Sequence, residues 1–337
     1  MTPLTIKDIA QLAGVGVSTV SRALNNYPDV NEETKQKILA IVEKYNYSPN
    51  QNAKILKQNA TNNVSIVVKG SANPFFEVII ERMQQDLEKH GYNALVNYID
   101  ERSDEISEAS KLNVEKKLEG IIFLGGTAGR FEKELTKFRI PCVVSTVYVP
   151  LPPDCNKACV CVDDRAAAAM AMDYLVENGH RHIAIIGGER GNRDGIDLRF
   201  EGAMESLRKH GIEFDERFYA ESKFSLSDAY SAMSRLLFPG TPITAVLAMS
   251  DIMAIGAAKA ITDSGLKIPD DISIIGYDGI DMAYFYNPTL ATIKQPANEL
   301  ARISVDILIR LINGEKIESN QIQLETEMIK GCSVKRI

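Results

Sequence analysis

Thr5-Ile-Lys-Asp-Ile-Ala-Gln-Leu-Ala-Gly-Val-Gly-Val-Ser-Thr-Val-Ser-Arg-Ala-Leu-Asn25 is the stretch from which the rest of the chain is read. Ile6, Ile9, Ala10, Leu12 and Ala13 recur at helical spacing, and Gly14 ends the run. A second short helix is predicted over about 17–24, with Val20, Ala23 and Leu24 turned inward. Two short helices joined by a tight glycine-containing turn form a helix-turn-helix, whose second helix fits the major groove of DNA. The outward face of that helix carries Val17, Ser18, Ser21, Arg22 and Asn25. Arg22 can reach guanine as a two-pronged donor, while the hydroxyl and amide groups reach phosphates or bases. The pattern by itself also fits a plain helical hairpin.

Charge is informative once it is divided. The 337 residues carry a net charge of −7. Residues 1–58 hold seven basic and five acidic side chains, which leaves +2 for that segment and −9 for the rest. Only the first segment suits a polyanion, and its excess is modest. Asn31 reads as the N-cap of a third helix, with Ile38, Leu39, Ile41 and Val42 as its buried stripe. Six asparagines then fall between Asn46 and Asn63, and Pro49 breaks the backbone, which is linker composition. Within it, Asn50, Ala53, Leu56 and Lys57 allow about two helical turns, too short to be stable alone. Such a segment folds on binding.

After the linker, apolar strands alternate with helical patterns. Strands are predicted at 64–68, 94–98, 120–124 and 142–144, with helices from Phe75 to Leu87, near 104–117 and near 131–138. The rhythm restarts after Asp163. Helices are expected at 164–178, 197–210, 226–238 and 251–264, and strands at 183–186, 218–222, 245–248 and 272–275. Two halves rich in βαβ units imply two doubly wound parallel sheets. The expected fold class is therefore α/β, an all-α helix-turn-helix headpiece followed by a two-lobed core. The headpiece spans 1–47, a hinge helix and linker 48–63, and the core 64–337. One lobe takes about 64–162 plus 292–323, the other about 163–291 plus 324–337.

The opening stretch, followed by Asn31-Glu-Glu-Thr34 and Tyr47-Ser-Pro-Asn50, resembles the DNA-binding headpiece of the lactose/galactose repressor (LacI/GalR) family. The likeness continues through Asn73-Pro-Phe-Phe76, Gly179-His-Arg-His-Ile-Ala-Ile-Ile-Gly-Gly188, Arg199-Phe-Glu-Gly202, Gly276-Tyr-Asp278 and Thr292-Ile-Lys-Gln-Pro296. These motifs cover nearly the whole chain in the family's order. The resemblance implies a core like that of periplasmic binding proteins, and DNA contacts from Thr5, Val17, Ser18, Thr19, Ser21, Arg22 and Asn25. It adds Tyr47, Asn50, Ala53, Lys54 and Leu56 in the hinge, where Leu56 stands in place of the leucine that wedges into the minor groove. An apolar wedge unstacks a base step and bends the duplex. Packing on the core is the other use of Leu56. Two positions depart from the family. Gly16 replaces the serine that caps the recognition helix, at a loss of a few tenths of a kcal/mol. Lys54 replaces an arginine, keeping the charge without the rigid fork.

Topology directs the search for a ligand. Open parallel sheets bind ligands beyond the carboxyl ends of their strands. Asn73, Arg199, Ser250, Asp251 and Asp278 each follow such an end, so they are expected to converge on a cleft between the halves. Arginine and aspartate can hold a diol through paired hydrogen bonds, and Phe75 or Phe76 can supply an apolar face. The resemblance assigns effector contact to the positions of Arg199 and Asp278. For Asn73, Ser250 and Gln295, a loop cap or hinge hydrogen bond is the competing use. Ser250 stands where an asparagine is common.

Other functions fit less well. The longest apolar run, Ala166 to Met172, falls far short of the ~20 residues needed to span a bilayer. The charged N-terminus does not read as a secretion signal, and five cysteines point to reduced thiols in the cytoplasm. Gly187, Gly188 and Gly191 fit a βα turn better than a phosphate loop. Cys155, Cys159 and Cys161 cluster without a nearby histidine to complete a zinc pattern. His180 and His182 read as structural, and neither a nucleophile–base set nor an HExxH motif is present. No cofactor or metal is expected. The expected function is a homodimeric repressor of a carbohydrate-use operon that binds a pseudo-palindromic operator and answers to a small sugar-like effector. The alternatives are a regulator that needs a nucleobase or phosphoprotein corepressor, and a carbohydrate-binding protein without a DNA role.

Overall fold

The computed structural model describes residues 6–24, 30–45, 61–70, 73–153 and 155–337. Thr5, Asn25, Tyr47, Asn50, Ala53, Lys54 and Leu56 lie outside these residues, as does most of the expected hinge. The chain forms two compact units, residues 1–61 and 62–337.

In the first unit, helices α1 (Ile6–Ala13), α2 (Val17–Leu24) and α3 (Glu32–Lys44) enclose Ile9, Ala10, Ala13, Val20, Ala23 and Ile38. Gly14 sits at φ +71° and ends α1, with the Val15 amide donating 3.0 Å to the Ala10 carbonyl. Asn31 starts α3 by accepting the Glu33 amide at 2.9 Å. Two expected core residues are not in the core, since Leu12 is 47% exposed and Leu39 38%. Helical phase explains Leu12. It points about 100° away from the mean direction of Ile9, Ala10 and Ala13. In α3 the inward direction is set by Ile38, and its neighbour Leu39 turns outward. Leu24, Ile41 and Val42 are half-buried at the margin.

The second unit contains two six-stranded sheets. The first has the order β11-β5-β4-β3-β1-β2, from β1 (Asn63–Lys69), β2 (Asn93–Ile99), β3 (Gly120–Leu124), β4 (Cys142–Ser145), β5 (Lys157–Val162) and β11 (Gln321–Leu324). The second has the order β12-β10-β9-β8-β6-β7, from β6 (Ile183–Gly187), β7 (Tyr219–Glu221), β8 (Ala245–Ala248), β9 (Ser273–Asp278), β10 (Ala291–Lys294) and β12 (Glu327–Ile329). All pairings are parallel except that of β10 with β12. Central strands such as Gly120–Leu124 and Ile183–Gly187 are buried along their whole length, as sheets covered on both faces require.

Each sheet reverses its strand order once, between β1 and β3 and between β6 and β8. Those switch points open a crevice at the carboxyl ends, where ligands bind in doubly wound sheets. The helices following these strands are α4 (Pro74–Lys89), α5 (Glu105–Lys116), α6 (Ala128–Glu134), α7 (Asp164–Glu177), α8 (Gly195–Lys209), α9 (Leu226–Leu236), α10 (Asp251–Asp263), α11 (Asp281–Phe285) and α12 (Ala297–Ile312). The chain passes between the sheets three times, after β5, after β10 and after β11. Because β10 pairs with β9 and β12, the return to the first lobe falls after Lys294 rather than at 292. Leu324 still belongs to the first sheet. Among the described residues no helix is long and apolar enough to cross a membrane.

Two strands and one helix escaped the sequence pattern. Strand β5 begins at Lys157, whose side chain is fully buried and donates 2.9 Å to the Ile140 carbonyl, so a charged letter hides a core strand. Strand β10 and helix α11 are each five residues or shorter. Cys159 and Cys161 are ordinary buried strand residues on β5, with sulfurs 3.9 Å apart.

Helices α7 and α8 pack so closely that a Cβ on Gly202 would lie 2.0 Å from the Arg165 carbonyl oxygen. Backbone on the opposing helix cannot swing aside as a side chain can. Gly202→Ala is therefore expected to lower the core's unfolding free energy by ~1–3 kcal/mol, measured by urea denaturation. An unchanged midpoint would show that the two helices slide apart freely.

Candidate functional site

The polar centre of the second lobe is the Arg199 guanidinium, placed by the first turns of α8. Its Nε donates to Asp164 Oδ1 at 2.7 Å and one terminal nitrogen donates to the Met249 carbonyl at 2.6 Å. The guanidinium carbon stands 3.7 Å from the centroid of the Tyr277 ring, a cation–π contact. Tyr277 donates its hydroxyl to the same Asp164 oxygen at 2.8 Å. Burial disfavours the charged guanidinium, but Asp164 and its neighbours outweigh that and hold Arg199 above the usual arginine range. Burial and the Asp164 carboxylate push Tyr277 well up, so it stays a donor.

Asp278 ends β9 beside this group, with φ +117°, a conformation that side-chain-bearing residues rarely adopt. Such strain costs of order 1–3 kcal/mol and persists only where surrounding bonds dictate it. Here they are explicit. The Gln295 side chain donates to Asp278 Oδ1 at 2.8 Å, and the Gln295 amide donates to the Asp278 carbonyl at 3.0 Å. Asp251 accepts the next two amides, Gly279 at 2.8 Å and Ile280 at 2.9 Å, and the Thr292 hydroxyl at 2.7 Å. Burial raises Asp278 well above the carboxylate range, against the pull of Arg199. Burial likewise takes Asp251 to about 7 despite its donors.

Two oxygens in this group lack a donor. Asp164 Oδ2 and Asp278 Oδ2 are buried and make no hydrogen bond. Unsatisfied buried acceptors are rare and mark a strained or ligand-binding position.

The first lobe presents a different surface at its own strand ends. Lys69, the last residue of β1, pairs with Glu105 and donates to the Thr127 hydroxyl at 2.9 Å. Glu105 also accepts the Thr127 amide at 2.9 Å and Arg130 at 3.2 Å. Phe76 is half-buried next to Gly125, where a Cβ would come 3.3 Å from its ring. Phe75 is 3% exposed and lies on the core face with Ile79 and Met83, so Phe76 is the aromatic left at the crevice. The two sets of strand ends face each other. Arg193, in the loop after β6, forms a two-pronged pair at 3.0 Å with Glu132 on α6, after β3.

Of the expected ligand residues, Arg199, Asp278 and Gln295 come together in one lobe, while Asn73 and Phe76 belong to the other. Asn73 caps α4, accepting the Phe75 amide at 3.1 Å. Ser250 is fully buried and caps α10, accepting the Met253 amide at 3.1 Å, so its hydroxyl oxygen already has work in the fold. On the headpiece, Ser18 and Arg22 are exposed along α2, while Val17, Thr19 and Ser21 are half-buried. His180 is held between the Thr244 hydroxyl and the Lys335 carbonyl.

The sequence reading passed over Asp164 and Tyr277, while Asp251, expected at the cleft, instead braces the backbone after Asp278. A signal existed for Asp164. Asp163 caps α7 through the Ala166 amide at 2.9 Å, which leaves the second of two adjacent acids without a capping role.

Comparison with known proteins agrees with this arrangement. Residues 5–50 match the family model for bacterial regulatory proteins of the lacI family, and residues 172–334 match a periplasmic binding protein-like domain. The HTH-type transcriptional regulator MalR of Clostridium butyricum is 36% identical, over 98% of this chain and 99% of that protein. The chain belongs to the LacI family of bacterial regulatory proteins. The probable HTH-type transcriptional repressor ExuR of Bacillus subtilis is 33% identical, over 99% of this chain and 99% of that protein. The lac repressor dimer bound to operator and the anti-inducer ONPF superimposes with a TM-score of 0.82 at 26% identity, covering 99% of this chain and 100% of that one. A CelR–cellobiose complex gives 0.71 at 26% identity, covering 98% and 99%. As a LacI-family member, the chain is a helix-turn-helix transcriptional regulator and not an enzyme.

Asp251 gives the core a pH signature. Its pKa of about 7 lies above the ordinary 3.8, so the folded state holds this proton more tightly than the unfolded one. Its stabilising contribution is complete below 3.8 and is lost as pH rises through about 7. Relative to Asp251→Asn, wild-type unfolding free energy is expected to decline from about pH 4 to about pH 7 and to level off above that. Parallel curves would contradict the assignment.

Proposed function

We propose that this chain is a homodimeric repressor of a carbohydrate-use operon whose DNA affinity is set by a sugar-like effector held between the core lobes. The division of labour is a DNA-reading headpiece over 1–47, a hinge over 48–63 and an effector-binding core beyond. The reading rests on the two donor-less oxygens, Asp164 Oδ2 and Asp278 Oδ2, flanking Arg199. A buried acceptor left unmade costs ~1–3 kcal/mol, and a ligand rich in hydroxyls supplies the missing donors. The fixed arginine and the half-buried Phe76 complete a site with convergent polar groups and one apolar face. Solved LacI-family structures that contain cellobiose and ribose support a sugar, and a lac repressor dimer on its operator supports the dimer and the palindrome. A regulator acting on DNA works in the cytoplasm.

On the headpiece, Ser18, Arg22 and their neighbours on α2 read bases and phosphates, with Thr5, Asn25, Tyr47, Asn50, Ala53, Lys54 and Leu56 contributing from outside the described residues. A duplex enriched by the wild-type chain from a randomised pool gives the probe. Arg22→Ala is expected to cost ~1–3 kcal/mol on that duplex and much less on random DNA. Equal losses on both would make Arg22 a phosphate contact. Leu56→Ala is expected to weaken duplex binding while leaving the core's unfolding midpoint in place. A falling midpoint would mark Leu56 as a packing residue.

The effector is found by a thermal-shift panel of sugars, sugar acids and nucleobases on the whole chain, since a ligand of the native state raises its stability. Asp278→Asn is expected to abolish both that shift and the ligand's effect on duplex affinity. Ligand-free affinity should stay near wild type, and stability should be equal or higher because the amide keeps an acceptor for Gln295 without an ionisable group in the interior. A full response in the variant would move the effector elsewhere, and hits confined to nucleobases would favour a corepressor.

A further inference from the structure

We propose that Arg193 and Glu132 form a clasp across the mouth of the crevice that biases the lobes toward the arrangement seen here, and through it the affinity for DNA. The inference builds on the regulatory reading above and adds an element to it. The pair joins the loop after β6 to helix α6, each at the switch point of its own sheet and on elements other than the three crossings that tie the lobes covalently.

The loop that carries Arg193 is built as a stiff strap. At its start, Tyr219 donates its hydroxyl to the Gly188 carbonyl at 2.5 Å. Two residues on, the Arg190 guanidinium lies 4.3 Å from the Phe200 ring centroid and 4.4 Å from that of Tyr219, and pairs with Glu216 at 2.9 Å. Asp197 then accepts the amides of Gly191 at 2.8 Å and Arg193 at 2.5 Å. Arg193 takes φ +54°, a left-handed conformation uncommon for a side-chain-bearing residue, and Asp194 caps α8 immediately after it. The backbone therefore fixes where the Arg193 side chain leaves the second lobe. A guanidinium presented in this way loses less freedom on pairing than one on a loose loop.

Both forks of the pair reach the carboxylate at 3.0 Å, although Arg193 itself is largely exposed. A contact made in one lobe arrangement and lost in another shifts the balance by its own worth. For an exposed pair that worth corresponds to at most about a fivefold change in an equilibrium constant. A modest bias of this size suits a device that must yield to a ligand.

The test is a charge swap on the whole chain, titrated without effector against the duplex enriched by wild type. Arg193→Glu and Glu132→Arg each remove the clasp and are expected to move the affinity in the same direction, by about two- to fivefold. The double swap rebuilds the pair with its charges exchanged and is expected to return close to wild type. Glu132→Gln, which removes charge without reversing it, should move affinity the same way and covers the case in which a reversal fails to fold. Four equal affinities, or effects that add in the double variant, would overturn the clasp. A wild-type chain that enriches no duplex would overturn the regulatory reading, and the coupling with it.

Discussion

The second lobe depends on one buried charge. Arg199 is surrounded by Asp164 from α7, the Met249 carbonyl after β8 and the Tyr277 ring on β9, so a single guanidinium ties three elements at the carboxyl edge of the sheet. Removing one partner of a buried pair leaves an uncompensated charge, which costs far more than an exposed pair is worth. The network is also incomplete. Asp164 spends one oxygen on Arg199 and Tyr277 and keeps the other without a donor. The interaction that organises the lobe thus leaves one acceptor open, the one the proposed effector would fill.

Asp278 extends the same logic to the backbone. Its strained φ and the burial of its acid both oppose stability, and Gln295, Asp251 and the adjoining amides hold it in place. Gln295 follows β10, at one of the three crossings between the lobes, so the residue that orients Asp278 also sits where a lobe rearrangement bends the chain. On the proposed reading, occupancy of the site and the relation of the lobes share this hydrogen bond. A ligand changes a conformational balance only through different contacts in its two states, and the proposed site puts Asp278–Gln295 where such a difference would arise.

Much of this was legible in the sequence. Long apolar strands such as Ile183–Gly187 and the periodic helices announced the two sheets, because burial on both faces leaves no polar positions to obscure the pattern. Topology then pointed to Arg199 and Asp278, since only side chains after strand ends can reach the crevice. Lys157 shows where the reading failed. A fully buried lysine satisfied by a carbonyl looks like a surface residue until its partner is known. Asp164 failed for a related reason, because an acid at a helix start is ordinarily a cap and Asp163 was needed to show that the cap was already filled. Ser250 was the reverse case, a residue at the right strand end whose hydroxyl caps α10.

On the proposed reading, a polyhydroxyl ligand completes the two buried acids beside Arg199, Asp164 and Asp278. The most direct measurement is a crystal structure of the chain with the compound that most raises its unfolding midpoint. Ligand hydroxyls are expected within hydrogen-bond distance of both Asp164 Oδ2 and Asp278 Oδ2, with Phe76 against an apolar face of the ligand. A ligand seated elsewhere, with both oxygens still lacking donors, would contradict it.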